Sequence, residues 1–211
     1  MRPRTLALAT FLLICVALLV PWSRTQFLLG VGAALVAQDT LAHADVIVIG
    51  PDVGEAGVLE AADLVAVGMG SHVAVLGVPT TMVSLEFRRR GLPYTDASTQ
   101  LVALLHVLGV PNAEVLGPSA NGTEEGAARL AEWSVRQNVR SIIVVTGPDH
   151  SRRFRRVLRR SLAGSGTRVM VTVSRYSAFT SARWWHQRGT LRTGLIELQK
   201  LLLDVLRHPL G

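Results

Sequence analysis

Short apolar runs alternate along this chain with segments of helical periodicity. The runs at 45–50, 72–77 and 141–146 are nearly continuous in Val, Ile, Leu and Ala, and shorter or more mixed runs lie at 113–116 and 167–173. A strand that is apolar at successive positions is typical of a parallel sheet covered on both faces. The pattern therefore predicts an α/β domain with a mostly parallel sheet of about five strands and flanking helices.

Two of the predicted helices have clear faces. The helix that starts near residue 152 has one apolar stripe, made of Phe154, Val157, Leu158 and Leu162. Its arginines share another side, which predicts a solvated or membrane-facing surface. In the final helix, about 190–206, the same rule places five apolar residues inward: Leu191, Leu195, Leu198, Leu202 and Val205. It places Glu197, Lys200 and Asp204 on the opposite side.

The N-terminus carries an apolar run at 5–20 between two arginines and Trp22. Its length is the lower limit for crossing the hydrocarbon, and Arg2 and Arg4 favour a cytoplasmic N-terminus. We therefore predict an N-terminal transmembrane helix, with residues 1–44 as anchor and linker and residues 45–211 as an extracytoplasmic domain. A cleaved signal peptide is the alternative. The second apolar stretch, at 27–37, is too short to span and predicts an interfacial or packing helix.

Charge is distributed unevenly along the 211 residues. Residues 1–150 contain 9 Arg against 13 Asp plus Glu, whereas residues 151–211 contain 13 Lys plus Arg against 2 acids. A basic last third fits anionic lipid head groups or a phosphorylated small molecule, and it also fits a solvated face without a partner. Nucleic acid is the least favoured partner, since the basic segment lacks interleaved aromatic residues. Cys15 is the single cysteine and the six histidines are dispersed, so no metal site is predicted.

The sharpest candidate chemistry follows the run at 141–146. His150 comes directly after this strand, near Thr146 and Asp149, and opens a helix bearing Arg152 and Arg153. Helix N-termini bind anions, arginine binds phosphate in a bidentate manner, and imidazole moves protons near neutral pH. A helix-capping or loop histidine explains the same residue equally well.

A second polar loop, 117–125, precedes another predicted helix. Asn121 and Glu124 have the spacing of a capping box, with Thr123 as an alternative cap. Ser119 lies in a Gly-x-Ser context whose second glycine comes one residue late, which argues against a serine hydrolase. The glycine fingerprint of dinucleotide-binding proteins is absent from the sequence.

The ordered set of these motifs resembles the YdcF-like family of envelope proteins. The resembling segments are 45–50, 61–77, 119–125, 144–150 with Arg153, and the end containing Trp184, Trp185, Glu197 and Lys200. The resemblance implies a Rossmann-like domain with a polar cleft at its strand ends, often carried on a membrane anchor, and an association with envelope biogenesis. It implies candidate site residues in two loops: Ser119, Asn121, Thr123 and Glu125, and then Thr146, His150 and Arg153. S-adenosylmethionine is a possible cofactor under this resemblance, and catalytic chemistry is unsettled.

Two segments depart from the family pattern. Pro51 and Asp52 stand where the family has a glycine-rich turn, and Leu76-Gly77-Val78 replaces a usual Ser-Gly-Gly. Half of the family pocket is therefore altered.

The leading hypothesis is a membrane-anchored envelope protein that binds an anionic, phosphorylated or lipid-linked ligand. His150 would transfer a proton or contact phosphate, Arg153 would clamp the anion, and Glu125 would act as a base or orient the ligand. One alternative is a nucleotide or S-adenosylmethionine binding module, with Asp52 or Glu55 near the ribose. Another is a noncatalytic envelope interaction protein. The sequence predicts no oligomeric state.

Overall fold

The computed structural model describes residues 20–117 and 121–209. Its strands are β1 (Val46–Ile49), β2 (Val73–Leu76), β3 (Ala113–Leu116), β4 (Ser141–Thr146) and β5 (Arg168–Val173). Its helices are α1 (Pro21–Leu35), α2 (Gly54–Ala66), α3 (Met82–Arg89), α4 (Ala97–Val107), α5 (Thr123–Arg136), α6 (Pro148–Ser161) and α7 (Arg188–Arg207).

The five strands form one parallel sheet in the order β3-β2-β1-β4-β5. The chain builds outward from β1 to β3 and then returns to place β4 beside β1, so the order reverses between β1 and β4. This confirms the predicted α/β fold, which is Rossmann-like with all strands parallel. In such sheets, ligands bind outside the carboxyl ends of the strands where the order reverses.

Both faces of the sheet are covered, which explains the continuous apolar strands. One core cluster lies under α5 and α6 and contains Leu130, Phe154 and Val157. The other lies under α2 and α4 and contains Ala61 and Leu105. The predicted apolar stripe of α6 is confirmed, because its members are at most 4% exposed.

An outer layer made of α1 and α7 packs against α6. Leu35, Phe179, Trp184 and Leu201 form its core. Trp184 is 2% exposed, and its indole N–H donates to the Leu28 carbonyl at 2.9 Å. Most of the stretch predicted as an interfacial or packing helix, 27–37, thus lies in a helix packed on the domain, and this helix ends at Leu35.

The predicted transmembrane segment lies outside the described residues up to residue 19. No helix in residues 20–117 and 121–209 combines the length and hydropathy needed to cross a bilayer.

The predicted faces of α7 are confirmed in part, since Leu191 and Leu198 pack against the core of the outer layer and Lys200 is half-exposed, but the rest of the prediction was wrong. Leu195 and Leu202 are 51% and 58% exposed, whereas Glu197 and Asp204 are 8% and 7% exposed. The physical reason lies in α6, whose neighbouring side presents arginines. The two carboxylates of α7 face these arginines, because charged groups in a buried interface require partners of opposite charge. Part of the leucine stripe is thereby turned to the surface.

The arginine side of α6, predicted as a solvated or membrane-facing surface, is less solvated than expected, although Arg159 stays 54% exposed. Arg155 and Arg159 both bind Asp39, at 3.0 Å and 3.1 Å. Arg152 donates to the carbonyl oxygen of Val36 at 2.8 Å, at the C-terminal end of α1. Much of the basic last third is therefore occupied in holding helices and the segment after α1 together.

Candidate functional site

Asp52 occupies the point where the strand order reverses. Its carboxylate accepts hydrogen bonds from the Thr146 hydroxyl at 2.9 Å and 3.0 Å and from the Gly147 N–H at 2.7 Å. Gly147 is the N-cap residue of α6, and a helix N-terminus favours a negative charge. The chain therefore places its own carboxylate where an external anion was expected.

The glycines on either side of Asp52 make room for it. A Cβ on Gly50 would lie 2.8 Å from Asp52 Oδ1, and a Cβ on Gly147 would lie 2.9 Å from Asp52 Oδ2. Pro51-Asp52, which departs from the family pattern, is thus accommodated by small residues at the ends of β1 and β4.

His150 and Glu197 form a buried pair one turn into α6. His150 Nδ1 lies 3.0 Å from Glu197 Oε2, and both side chains are almost inaccessible to solvent. Nδ1 also lies 2.9 Å from Arg153 Nη2, but a carboxylate is the stronger acceptor and Arg153 has other acceptors. We assign a proton to Nδ1, which donates to Glu197.

Arg153 connects three helices at this pair. Its Nε donates to Glu197 Oε2 on α7 at 2.9 Å, and its Nη1 donates to the Thr123 hydroxyl on α5 at 2.9 Å. Lys200 Nζ completes the cluster by donating to Glu197 Oε1 at 2.8 Å. A single carboxylate therefore serves an imidazole, a guanidinium and an ammonium group.

The acidity of Glu197 reflects these neighbours. Burial alone would raise its pKa, but the hydrogen bond and charge of His150, followed by Lys200 and Arg153, lower the pKa to about 2. Glu197 is therefore an anion at every physiological pH. Its role is to hold and orient the cationic groups rather than to transfer protons.

An open pocket of about 280 Å³ lies next to this cluster, between α5, α6 and α7. Arg153, Lys200 and Arg207 line it together with the acids Glu124 and Asp204. Arg160 binds both acids, at 3.1 Å and 2.6 Å.

Asp204 is the more strongly held of the two acids. Burial alone would raise its pKa, but hydrogen bonds from Arg160 and Arg156 keep the pKa below its usual value. In the described part of the chain, Glu124, Asp204 and His208 can approach a single point closely enough for a metal ion. However, arginines already neutralise both carboxylates.

The structure brings together three of the predicted site residues: Thr123, His150 and Arg153. Thr146 is fully buried and donates instead to Asp52. Ser119 lies outside the described residues.

Glu125 and Asn121 interact locally at the start of α5. Glu125 accepts from the Asn121 N–H at 2.7 Å and also binds Arg129 on its own helix. These contacts lower the pKa of Glu125, which weakens it as a base. The predicted capping box was displaced by one residue, since Gly122 is the N-cap and Glu125, not Glu124, reaches back.

Sequence reasoning did not place Glu197 and Lys200 in the candidate site, although both belonged to the resembling residues. One signal was present. Glu197 and Asp204 are the only acids in residues 151–211, and they stand seven residues apart, two turns of one helix face. Arg153 and Arg160 have the same spacing on α6, so the two helices carry complementary charges in register.

Comparison with protein-family models and with curated protein sequences finds no match to this chain.

Proposed function

We propose that this chain is a membrane-anchored envelope protein whose α/β domain binds an anionic, phosphorylated or lipid-linked ligand in the pocket between α5, α6 and α7. The observation that carries the binding proposal is the shared carboxylate. Arg153 and Lys200 share Glu197, which is the only ionic partner of either cation in the described residues. Their combined charge is therefore incompletely neutralised.

Further features of the pocket support an anion. Arg207 lines it and forms no ion pair among the described residues. Lys200 is 50% exposed, so its ammonium group can reach a ligand while it keeps its contact with Glu197. No side chain caps the N-terminus of α5, and the Thr123 hydroxyl, at the first turn, already contacts Arg153. A phosphate here would meet guanidinium, ammonium and helix N–H donors.

His150 gives the site its potential chemistry. Glu197 orients the buried imidazole through Nδ1, so Nε2 is the nitrogen that would exchange a proton with a group that reaches this ring, which is 6% exposed and lies beside the pocket lining. This is the orientation that carboxylate–imidazole pairs provide in general acid–base catalysis. The envelope assignment rests on the family resemblance, and the anchor rests on the apolar run at 5–20.

Binding of a prenyl phosphate to the full-length chain in detergent tests the proposal. Geranyl phosphate and its alcohol, geraniol, differ only in the phosphate, and isothermal calorimetry separates their affinities. We expect the phosphate to bind at least tenfold more tightly, which corresponds to about 1.4 kcal/mol. Arg207→Ala and Lys200→Ala are each expected to weaken it by a similar factor.

Arg136→Ala is the matched control, because it removes the same charge from the opposite end of α5. Equal affinity for phosphate and alcohol would remove the basis of the anion site. An equal loss in Arg136→Ala and Arg207→Ala would show that only the net charge matters.

A further inference from the structure

A second cleft, of about 410 Å³, opens at the carboxyl ends of β1, β4 and β5. It lies at the reversal of strand order, the position where open α/β sheets bind ligands. Its chemistry differs from that of the pocket lined by Arg153, Lys200 and Arg207, which we call the basic pocket. The lining includes Asp52, Asp149, Thr193 and Gln187, with aromatic rings from Tyr176 and Phe179.

The two acids of this cleft are neighbours. A Cβ on Gly147 would lie 2.9 Å from Asp52 Oδ2 and 3.0 Å from Asp149 Oδ1, so both carboxylates flank the same backbone position. Among the described residues, neither acid forms an ion pair, although the chain as a whole has a net charge of +7. The cleft is thus a local concentration of hydrogen-bond acceptors in a basic protein.

The surroundings of Asp149 disfavour the charged form of its carboxyl group. Burial raises its pKa, and the charges of Asp52 and Glu197 act in the same direction, opposed by a hydrogen bond from Thr193. A ligand that donates further hydrogen bonds to Asp149 would relieve part of this cost, because each added donor stabilises a partly buried carboxylate.

The cleft favours neutral donors over a cation. Asp52 Oδ2 already accepts from the Thr146 hydroxyl and from the Gly147 N–H, which leaves it little capacity as a bidentate metal ligand. The net positive charge of the chain opposes the approach of polyamines. The hydroxyl and amide groups of Thr193 and Gln187, with the half-exposed ring of Tyr176, suit a compact ring that carries hydroxyl groups.

We propose that this cleft binds the vicinal diol of a ring sugar, either a hexopyranoside or the ribose of a nucleoside. Asp149 accepts the hydrogen bonds of the two hydroxyl groups, and the half-exposed ring of Tyr176 contacts the apolar face of the sugar. The site is independent of the basic pocket on α7, and its ligand requires no phosphate.

Paired probes on the full-length chain test this site. Adenosine is compared with 2′,3′-dideoxyadenosine, which lacks the diol, and methyl glucopyranoside provides the hexose arm. Saturation-transfer NMR detects binding at millimolar concentrations. We expect saturable binding of adenosine, of the glucoside or of both, which identifies the sugar, and at least tenfold weaker binding of the dideoxy compound.

Asp149→Asn and Glu132→Gln form the matched pair of variants, since each removes one negative charge with little change of shape. We expect Asp149→Asn to weaken diol binding at least tenfold and Glu132→Gln to leave it unchanged. Neither variant should have a lower thermal unfolding midpoint than the parent chain, because Asp149→Asn removes a charge that burial disfavours and Glu132 is exposed. Lys200→Ala should also bind the diol normally, which separates this cleft from the basic pocket.

Three results would overturn the proposal. They are no saturable binding of adenosine or the glucoside, equal binding of adenosine and its dideoxy analogue, and equal affinities in Asp149→Asn and Glu132→Gln.

Discussion

At the scale of single residues, Glu197 determines how the cationic groups of the site are arranged. Its two oxygens bind different partners: Oε2 contacts His150 and Arg153, and Oε1 contacts Lys200. Removing the charge would leave a guanidinium that is only 12% exposed without its ionic partner. Burying an uncompensated charge is far more costly than losing a surface ion pair.

Glu197→Gln is therefore expected to lower the free energy of unfolding by about 3 kcal/mol, within the range for breaking buried pairs. Urea unfolding at neutral pH, followed by circular dichroism, measures this change. Glu86→Gln is the control, because Glu86 binds Arg89 and Arg90 at the surface, and it should change the midpoint little. Equal midpoints for the two variants would mean that Glu197 contributes no more than a surface pair.

The pH dependence of stability has a defined sign. The pKa of Glu197 is about 2 in the folded chain, against 4.5 for an ordinary glutamate. The stabilisation is therefore fully present above pH ~4.5 and is lost as the pH falls toward ~2. The parent chain should lose more stability than Glu197→Gln over this interval in parallel urea titrations. Parallel curves for the two proteins would contradict the assignment.

At the scale of elements, Trp184 controls how closely α1 and α7 approach the domain. A Cβ on Gly194 of α7 would lie 2.7 Å from Trp184 Cε3, and a Cβ on Gly32 of α1 would lie 2.8 Å from Trp184 Cδ1 and would also meet the Ser181 carbonyl. Both helices thus use glycine where they cross the indole, which allows the outer layer to pack without a gap.

Gly32→Ala should destabilise the chain by about 2 kcal/mol, because the added methyl group meets backbone atoms that cannot easily move. Gly30→Ala is the matched control on the same helix, since nothing lies within 4 Å of its Cβ position. It should stabilise the chain by up to about 1 kcal/mol through helix propensity. Thermal unfolding midpoints distinguish the two, and a shift in the same direction for both would refute the packing explanation.

The strands were predictable from sequence because a strand that is buried on both faces of a parallel sheet needs apolar residues at successive positions. The orientation of α7 was not, because hydrophobic periodicity assumes that a helix buries its leucines against an apolar neighbour. Here the neighbour is α6 with Arg153, Arg156 and Arg160, and electrostatic pairing determined the orientation. A rule that considers one helix at a time does not include ion pairs between two helices.

The same limit applied to the candidate site. His150 and Arg153 were predictable because they follow a strand end, where local sequence and general topology suffice. Asp52 was considered only for ribose binding, and its contact with Gly147 depends on how β1 and β4 pair. The contact between Asp52 and Gly147 joins residues that are 95 positions apart in the chain.

At the scale of the whole molecule, the distribution of charge has two functions. Asp39, Glu197 and Asp204 bind five of the arginines of α6. Lys200 and Arg207 carry part of the remaining positive charge and line the basic pocket. The excess of basic residues in the last third is thus partly internal cohesion and partly, in our proposal, attraction for an anion.

Membrane topology is the prediction that belongs to the complete chain. With Arg2 and Arg4 on the cytoplasmic side of the apolar run, a phosphatase fused after residue 211 should be active outside the cytoplasm. A green fluorescent protein fused at the same place should stay dark, and deletion of residues 2–20 should reverse both results. Fluorescence from the full-length fusion would place the domain in the cytoplasm.

The complementary charges of α6 and α7 also fix how the two helices can be aligned. Arg153 faces Glu197 and Arg156 faces Asp204, and none of the residues one turn away from these two acids on α7 is acidic, so a slide of α7 by one turn would separate the charges. Buried ion pairs add little net stability, but they can penalise a mismatched arrangement strongly. An apolar interface of the same size would tolerate several alignments, whereas this one admits a single alignment, and that alignment keeps Lys200 beside His150.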